Sequence, residues 1–597
     1  MLTYENGGRL VQHPSELPNL SNAKYLYLDC ETSSNDPKED SLNPWKNCRV
    51  LGIAVTADDY FGAWYIPWDL AKEWVQDTLR SCQFWVNHNI KYDMHCLALA
   101  GVTWSCGIID TLTQAKIYDS DRLRYSLDIL ARDYGTDISK YEQALKPYLV
   151  RNKDYGRIPL DIIAEYACMD TITTRDLHKY LQIPKQCQQV WATEQALTPI
   201  LFNIEQLGMC VDTTELKMKQ LATICAMLKI EQAMHEICGI AIRPHANKDC
   251  YDLFCGQYGL PILGTTDSGA PSFDKDTLKA LLIHPSARDN PKLQELLKWV
   301  LQYRKLHILN GLFIEPYLDL EVNGRIHPFY NQLVRTGRMS CKNPNAQQLS
   351  DEARALVHAT PGYALVAADY SQIEFRFIAH YLKNQKVIDA YNQDPNTDFH
   401  TWVANMAGIP RDPAKNLNFA IGFGAGQHKV LQMLSGNMNL VGHLLDEAGG
   451  NRAKFEMLAE QHARHTYRQY HSLLPELRSV SKSAGKKCLE RGYVFNLFGR
   501  RRHLQREFAH KAFNTVVQGS AADFLKNRAV AIHPLQYGAR LLALVHDEFL
   551  FEVPIENVDP FIASIRPILE FCPISIRVPI RVSIGPPEQN WLLASQK

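Results

Sequence analysis

The chain has 597 residues, of which 46% are hydrophobic and 21% are charged, as expected of a globular protein with about four domains of ~150 residues. Its 64 basic and 64 acidic residues give a formal net charge of zero, which excludes a globally basic protein but not a basic patch on one surface. No stretch approaches the ~18 apolar residues of a membrane span, and the start lacks a signal-peptide pattern, so we expect a cytoplasmic protein without membrane contact.

Short apolar runs followed by helical periodicity predict a mainly α/β domain over the first ~185 residues. The runs at 25–28, 50–56 and 84–86 are its predicted strands. Mostly helical sequence follows, and two further buried strands are predicted at 364–368 and 541–545. The whole pattern predicts an α+β or α/β protein with several domains.

Acidic residues stand at or near the ends of several predicted elements in the first domain. Asp29 and Glu31 are two residues apart on a predicted strand, so their side chains point to the same face. Asp93 follows in NHNIKYD, and Tyr166 and Asp170 are spaced i, i+4, which places them on one helix face. Each acid alone also fits a solvated surface carboxylate. Together, four acids and a tyrosine predict a site for divalent cations that directs a water at a phosphodiester.

Three motifs, LDCET, NHNIKYD and YACMD, resemble those of proofreading 3′→5′ exonucleases of the DEDD type, tyrosine subclass. The resemblance implies an RNase H-like domain with Tyr166 as the residue that orients the attacking water. It further implies a supporting role for Asp110 and a place beside the site for Asn89. The implied metal-binding acids are Asp29, Glu31, Asp93 and Asp170.

A second set of acids follows the two late strands. Asp369 closes the run at 364–368, and Asp547 and Glu548 follow the run at 541–545. If the strands are neighbours in one sheet, carboxylates at their ends could hold two metal ions for in-line phosphoryl transfer. VHDE alone also fits a turn with a capped acid.

One helical motif combines cations with an aromatic ring. In RDPAKNLNFAIGFGAG, the residues Arg411, Lys415 and Phe419 are spaced i, i+4, i+8 and share one helix face. Two cations and a ring suit the phosphates and the sugar or base of a nucleoside triphosphate. A lone basic helix face is also compatible with simple solvation.

AADYSQIEFR, RDPAKNLNFAIGFG and LVHDE occur in the order of the three motifs of family A DNA polymerases, the class of bacterial DNA polymerase I, which they resemble. TGRMSCKNPNAQQL, FNTVVQGSAAD and thumb-like segments extend the resemblance from about residue 24 to the end. It implies a right-hand polymerase fold. The implied domains are an exonuclease domain over 1–189, the thumb and lead-in to the palm over 190–330, the first part of the palm over 331–400, the fingers and adjoining helices over 401–530, and the second part of the palm over 531–597.

The resemblance also implies roles for individual residues of the polymerase half. Asp369 and Asp547 would bind metal, with Glu548 beside them as a further catalytic acid. Glu374 would exclude a 2′-hydroxyl. The residues implied to bind the incoming nucleotide are Arg411, Lys415, Phe419, Phe423, Glu374, Gln372 and His400. Those implied to contact the primer-template are Arg338, Asn345, Asn514 and Gln518.

The stretch 486–511 holds eight Lys or Arg residues and two acidic residues, and it includes GRRRHL. Such a basic stretch predicts a contact with the phosphate backbone, and we therefore expect Arg500 and Arg501 to bind DNA. A solvated basic face or a basic targeting signal would give the same pattern.

Three positions depart from the family pattern, in which bacterial enzymes have a tyrosine at Phe423, an arginine at His510 and an apolar wedge at Asn35. Their effects on fidelity are left open. Phe419 matches the subclass expected to discriminate against dideoxynucleotides.

These features predict a template-directed DNA polymerase that adds dNTPs to a primer 3′ end, with its own proofreading 3′→5′ exonuclease. Two Mg²⁺ ions per active site are expected, with Mn²⁺ as a substitute. The alternatives are an exonuclease with a degenerate polymerase half and a noncatalytic DNA-binding protein. The absence of room for a 5′-nuclease domain suggests phage replication, and hence the host cytoplasm. A helicase-primase or processivity factor would be a natural partner, but the sequence identifies none.

Overall fold

The protein is represented by a computed structural model, which describes residues 2–34, 43–46, 48–58, 60–135, 138–149, 155–266, 268–407, 411, 426–427, 430–431, 444, 447–449 and 452–596. Four residues singled out above lie outside these ranges: Asn35, Lys415, Phe419 and Phe423.

The N-terminal region is built on a seven-stranded mixed sheet in the order β1-β2-β5-β4-β3-β6-β7. The central strand β3 pairs antiparallel with β4 and parallel with β6, and its inner side chains Leu26 and Leu28 are fully buried. The strands are β1 Leu2–Thr3, β2 Gly8–Leu10, β3 Tyr25–Ser34, β4 Cys48–Ala57, β5 Ala63–Pro67, β6 Phe84–Asn87 and β7 Gly107–Asp110.

Helices cover this sheet, which confirms the predicted α/β domain. Apolar residues on the inner helix faces, such as Val75 and Leu97, pack into its core because they recur at helical spacing. The helices are α1 Trp68–Ser81, α2 Lys91–Leu99, α3 Thr111–Tyr118, α4 Leu127–Asp133, α5 Ser139–Leu145 and α6 Leu160–Tyr180.

Helix α7, Gln188–Leu207, connects the N-terminal region to the rest of the chain and packs against both. The next helices form a layer with its own core around Leu296 and Leu297. The elements of this part are β8 Met209–Cys210, α8 Thr213–Cys238, α9 Asn247–Tyr251, α10 Lys275–Ile283, α11 Pro285–Arg288, α12 Pro291–Leu309, α13 Glu315–Leu320 and β9 Arg325–Ile326.

The C-terminal half contains an antiparallel sheet in the order β15-β16-β12-β17. Both predicted late strands are present, but β12 pairs with β16, which follows the acids of the VHDE motif, rather than with β15, which precedes them. The strands of this half are β10 Phe329–Asn331, β11 Ser340–Lys342, β12 Tyr363–Tyr370, β13 Tyr493–Phe495, β14 Arg501–His503, β15 Arg540–Val545, β16 Glu548–Pro554 and β17 Val582–Ile584.

Helices surround this second sheet and share one large core with it. They are α14 Asp351–Arg354, α15 Ile373–Leu382, α16 Gln385–Gln393, α17 Phe399–Ala407, α18 Arg452–Leu473, α19 Glu476–Arg491, α20 Ala512–Ala531, α21 Val558–Glu570 and α22 Trp591–Ala594. Among the described residues, we find no helix with the length and apolar character needed to cross a membrane.

Candidate functional sites

The acids of the N-terminal region meet at the centre of its sheet. Asn87, at the end of β6, donates from Nδ2 to Asp29 Oδ1 at 2.8 Å and to Asp93 Oδ2 at 2.9 Å. The backbone N–H of Cys30 donates to the other oxygen of Asp93 at 2.8 Å. One amide and one backbone group thus hold the acids of β3 and α2 side by side, as the sequence predicts.

Burial dominates the electrostatics of this cluster, and repulsion between the acids adds to it. Burial raises the pKa of Asp29 to about 6, although the hydrogen bond from Asn87 opposes the shift. Burial, followed by the charges of the neighbouring acids, raises the pKa values of Glu31, Asp93 and Asp170 well above their usual range. The four carboxyl groups therefore share one low-dielectric space, where a bound cation would favour their ionised forms.

Helix α6 supplies the remaining residues of the acid cluster. Tyr166 and Asp170 lie one turn apart and their side chains interact, as their spacing predicts. The Oδ1 atom of Asp170 is buried without a hydrogen-bond partner, so it is available to a cation. Tyr155 packs beside Tyr166, with ring centroids 6.4 Å apart.

These residues fit divalent metal, because oxygen ligands and an orphaned carboxylate oxygen are what hard cations require. Within the described ranges, however, no three acidic, histidine or cysteine side chains are already arranged around one ion position. Hydrogen bonds hold the acids close enough to influence one another's charge, but the acids do not form a complete coordination shell.

Asp110 has the supporting position expected of it. Its Oδ1 accepts from the backbone N–H of Asn89 at 2.8 Å and from Leu112 at 3.0 Å, which caps α3. Asn89 adopts a left-handed φ of 63°, and the Asp110 contact holds that backbone. Sequence reasoning singled out Asn89 but missed Asn87 and Tyr155. The available signal for Asn87 was its place at the end of the apolar run 84–86.

The second set of acids lies at one end of the β12–β16 pair. Asp369 is opposite Glu548 in the register, and Asp547 is in the two-residue turn between β15 and β16. The backbone N–H of Tyr370 donates to the carbonyl of Asp547 at 3.0 Å. Asp369 and Asp547 therefore line one cleft, although 178 residues separate them in the sequence.

Gln347 holds this turn in shape. Its Nε2 donates to the carbonyl of Leu544 at 2.5 Å, and its Oε1 accepts from the backbone N–H of His546 at 3.1 Å. His546 has a left-handed φ of 53°, which a residue with a Cβ adopts only when its surroundings fix it. Sequence reasoning missed Gln347, although it is part of the quoted motif TGRMSCKNPNAQQL.

Glu548 lines the same cleft as Asp369 and Asp547 and has three hydrogen-bond donors of its own. Its carboxylate accepts from Trp591 Nε1 at 2.7 Å, from Arg354 at 3.1 Å and from Ser595 Oγ at 3.3 Å. These three donors satisfy a nearly buried acid. The contacts indicate that Glu548 anchors β16, whereas the sequence suggested a catalytic acid.

A cavity of about 340 Å³ opens beside Asp547. Arg338 and Glu374 line it and form an ion pair with each other. Gln372 lines it as well, with a left-handed φ of 54° just before α15. The walls thus combine a charged pair with a polar amide, next to an acid at the end of the sheet.

Asp398 connects Gln372 to Arg411. It accepts from Gln372 Nε2 and from Arg411 Nε, each at 2.5 Å, and from Thr401 Oγ1 at 2.8 Å. Burial opposes ionisation, but these donors lower the pKa of Asp398 to about 2. Sequence reasoning did not identify Asp398.

His400, which was expected to meet a triphosphate, lies in a buried position. The residue is 2% exposed, and its ring packs edge-on against Phe375 with centroids 5.3 Å apart. The contact of His400 with a triphosphate stays a prediction.

Comparison with known proteins decides the family. The profile of DNA polymerase family A matches residues 213–592, and the profile of 3′-5′ exonucleases matches residues 15–183. The chain belongs to DNA polymerase family A. The predicted family, the exonuclease domain and the DNA polymerase activity are thereby confirmed, and enzymes with these two domains depend on divalent metal.

Relatives of this family A polymerase extend over nearly the whole chain. It is 28% identical to DNA polymerase DpoZ of Salmonella phage PMBT28, over 97% of this chain and 98% of the relative. It is also 28% identical to DNA polymerase I of Pseudomonas aeruginosa, over 96% of this chain and 64% of the relative. The fold resembles the POL domain of Pol1 from M. smegmatis in complex with DNA primer-template and dNTP, with a TM-score of 0.76, 21% identity, and coverage of 99% and 100%.

Three expected DNA-contact residues of this family A polymerase lie at accessible or unsatisfied positions. Asn345 is exposed and caps a short turn by accepting from the N–H of Gln347 at 3.1 Å. Asn514 and Gln518 are one turn apart on α20, and Asn514 Oδ1 is buried without a partner. Their contact with DNA stays a prediction.

The basic motif GRRRHL is used differently from the prediction. Arg500 is 6% exposed and its guanidinium binds Asp523 and Glu194, so it is not available to DNA phosphate. Arg501 donates to the carbonyl of Tyr118 at 2.7 Å, and Arg502 donates to that of Ser120 at 2.8 Å. This part of the family A polymerase joins its two domains, and the expectation of a DNA contact at Arg500 was wrong.

Proposed function

We propose that this polymerase extends a primer 3′ end on a DNA template with dNTPs in its C-terminal half, and removes mispaired 3′ nucleotides at the acid cluster of its N-terminal domain. The observation that supports this division is the separation of the acids. Asp369 and Asp547 line one cleft on the second sheet, whereas Asp29 and Asp93 lie on the first sheet and its helix.

In the polymerase half, Asp369 and Asp547 would hold two Mg²⁺ ions. When bound, these ions would promote ionisation of the primer hydroxyl and neutralise the triphosphate and the leaving pyrophosphate. Gln347 and Glu548 would act as positioning residues, because one fixes the turn that carries Asp547 and the other anchors the following strand.

The 340 Å³ cavity would receive the nucleotide. Glu374 would stand against the sugar, where its ion pair with Arg338 fixes its orientation. Arg411, held by Asp398, would approach the phosphates with Lys415. Gln372, Phe419 and Phe423 remain proposed nucleotide contacts from the sequence, the last two without structural support in the described residues.

In the exonuclease half, the four acids would hold the second pair of Mg²⁺ ions, with Mn²⁺ as the expected substitute. Asn87 would keep Asp29 and Asp93 at a fixed separation. Tyr166 would orient the water that attacks the last phosphodiester, because its side chain is placed against Asp170 on the same helix.

DNA would lie along Asn345, Asn514 and Gln518, with Arg501 at the junction between the domains. We propose the domain boundaries given by the sequence, in which the exonuclease domain ends at about residue 189, close to the start of α7 at Gln188. The phage origin of two relatives, each named DNA polymerase DpoZ, supports a role in phage DNA replication within a host cell. No replisome partner is identified.

A primer-extension assay tests the proposal. A labelled primer on a longer template should lengthen with all four dNTPs and shorten when dNTPs are omitted, in both cases only with Mg²⁺ or Mn²⁺. Shortening under both conditions would indicate a degenerate polymerase half. Binding of DNA without either reaction would indicate a noncatalytic protein.

A further inference from the structure

Glu205, near the end of α7, is a buried acid that binds two other parts of the chain. Its exposure is 0%, and it forms an ion pair with Lys91 of the exonuclease helix α2. His95 Nε2 lies 2.7 Å from Glu205 Oε2, and the backbone N–H of Tyr330 donates to Oε1 at 2.6 Å. One carboxylate therefore joins α2 to strand β10, which lies beyond the exonuclease domain.

The donors around Glu205 are themselves fixed. Gln206 Nε2 donates to His95 Nδ1 at 2.9 Å, so the proton of the neutral ring is on Nε2 and points to Glu205. Lys91 also donates to the carbonyl of Tyr330 at 2.6 Å. Burial alone would raise the pKa of Glu205, but the charge of Lys91 and the hydrogen bond from His95 more than offset it and lower the pKa.

This network lies directly behind an exonuclease acid. Lys91 and His95 are one turn apart on α2, and Asp93 is between them, ~200° around the helix from each at ~100° per residue. Asp93 accordingly faces Cys30 and Asn87 at the acid cluster, while its two neighbours face Glu205. Helix α2 is thus bonded on both sides.

A second buried glutamate on α7, the helix that carries Glu205, provides a comparison. Glu194 is eleven residues before Glu205, about three turns at ~3.6 residues per turn, so the two lie on one face of α7. Glu194 binds Arg500, Lys526 at 2.7 Å and Gln332 at 2.8 Å. These partners belong to the polymerase half, so Glu194 shares the burial and charge of Glu205 but has no bond to α2 in this network.

We infer that Glu205 is a positioning residue for proofreading, which fixes α2 and its Asp93 against strand β10 and so makes the exonuclease site depend on its contact with the polymerase half. The inference rests on the proposed metal-binding role of Asp93. Partners that orient metal ligands commonly change metal affinity by ~10- to 100-fold when removed, and Glu205 acts one step further away through the helix.

The test compares Glu205→Gln with Glu194→Gln as the matched control, both in the full chain. Glutamine keeps the size of the side chain but removes its charge. Two quantities are measured below the melting temperature of each variant. The first is the Mn²⁺ concentration that gives half-maximal degradation of a single-stranded oligonucleotide. The second is direct Mn²⁺ binding by electron paramagnetic resonance, with Asp547→Ala added to weaken binding at the polymerase site.

We expect Glu205→Gln to raise the Mn²⁺ concentration for half-maximal degradation and the dissociation constant of Mn²⁺ by about tenfold each. Primer extension should change by less than about twofold. Glu194→Gln should lower the melting temperature but leave both Mn²⁺ values within about twofold of the wild type. Unchanged Mn²⁺ values in a folded Glu205→Gln, or equal shifts in the two variants, would overturn the inference, because Glu205 would then serve stability alone.

His95→Leu keeps the inference testable if Glu205→Gln does not fold. It removes one donor while leaving the ion pair with Lys91, so a shift of about threefold in the same direction is expected, as part of the full effect. No shift would count against the inference. Asp93→Asn separates this question from the proposed function: if that variant kept wild-type exonuclease activity, the assignment of the acid cluster itself would be wrong, whatever Glu205→Gln did.

Discussion

The two acid clusters of this polymerase are stabilised in different ways. In the exonuclease domain, Asp29 and Asp93 share the neutral Asn87, and burial and mutual repulsion raise the pKa values of the cluster. In the polymerase half, the acids beside the active cleft have cationic partners, since Glu548 binds Arg354 and Glu374 binds Arg338.

From this difference we expect the exonuclease cluster to depend more on bound metal ions than the polymerase cleft does. Buried carboxylates that repel one another destabilise the metal-free fold, whereas an acid paired with arginine contributes to it. We therefore expect the acids of the exonuclease site to destabilise the fold when metal is absent. In the polymerase cleft, we expect ion pairs within the protein to stabilise the fold without metal.

The largest effect is expected for Asp547→Ala. Loss of a ligand shared by the polymerase ions should reduce primer extension by at least about a thousandfold, equivalent to ~4 kcal/mol of transition-state stabilisation. Degradation of single-stranded DNA should stay within about twofold of the wild type, because the exonuclease acids are untouched. Extension by the pure variant at more than a tenth of the normal rate would refute the assignment of Asp547.

The reciprocal change is Asp29→Ala combined with Glu31→Ala. It should reduce 3′ degradation by about a hundredfold to a thousandfold while primer extension continues, because both acids lie outside the polymerase cleft. Gel analysis of a labelled oligonucleotide without dNTPs provides the measurement. Persistent 3′ degradation would place the exonuclease site elsewhere.

A smaller effect is expected for Phe419→Tyr, which rests on the sequence resemblance. The added hydroxyl can replace an interaction lost when a nucleotide lacks its 3′-hydroxyl, so the preference for dNTPs over dideoxynucleotides should fall by roughly ten- to a hundredfold. Competition between a dideoxynucleotide and its normal counterpart gives the ratio directly. If the ratio did not change, Phe419 would not face the sugar.

The smallest effects concern stability in EDTA. Asp29→Asn should increase the free energy of unfolding by about 1 kcal/mol and so raise the melting temperature, because it removes a buried charge and keeps the oxygen that accepts from Asn87. Glu548→Gln should decrease the free energy of unfolding by about 1 to 3 kcal/mol and so lower the melting temperature, because Arg354 then loses its charged partner. Shifts of the same sign would remove the contrast between the clusters.

The effect of Asp29→Asn should also depend on pH. The folded pKa of Asp29, at about 6, lies above its ordinary value of 3.8, so the carboxylate destabilises the metal-free fold above pH 6. As pH falls from 6 towards 4, the acid becomes protonated in the fold, and the advantage of Asn should disappear. Thermal melts of both proteins across this range measure the difference.

The sequence predicted the parts of the fold and of the sites that depend on local pattern. Apolar runs that end in acids identified β3 and β12 with Asp29 and Asp369, and helical spacing joined Tyr166 to Asp170. These relations are local because strand alternation and helix periodicity fix them within a few residues.

The remaining features depend on distant partners. Arg500 and Arg501 belong to one basic run, but Arg500 is enclosed by Glu194, which is 306 residues away. The sequence of a basic run is the same whether its side chains bind phosphate or a buried acid. Likewise, Asn87 and Gln347 acquire their roles only because the fold places carboxylates and a strained turn beside them.

We propose that the two active sites of this chain can be inactivated separately. A mixing experiment tests this proposal by combining Asp547→Ala with the Asp29→Ala, Glu31→Ala double variant on a primer that ends in a mismatch, with all four dNTPs present. We predict that the first variant alone only shortens the primer and that the second alone extends the mismatch poorly. The mixture should yield full-length product, because one protein removes the mismatch and the other extends the corrected end. Loss of both activities in either folded variant, or no full-length product from the mixture, would contradict the account.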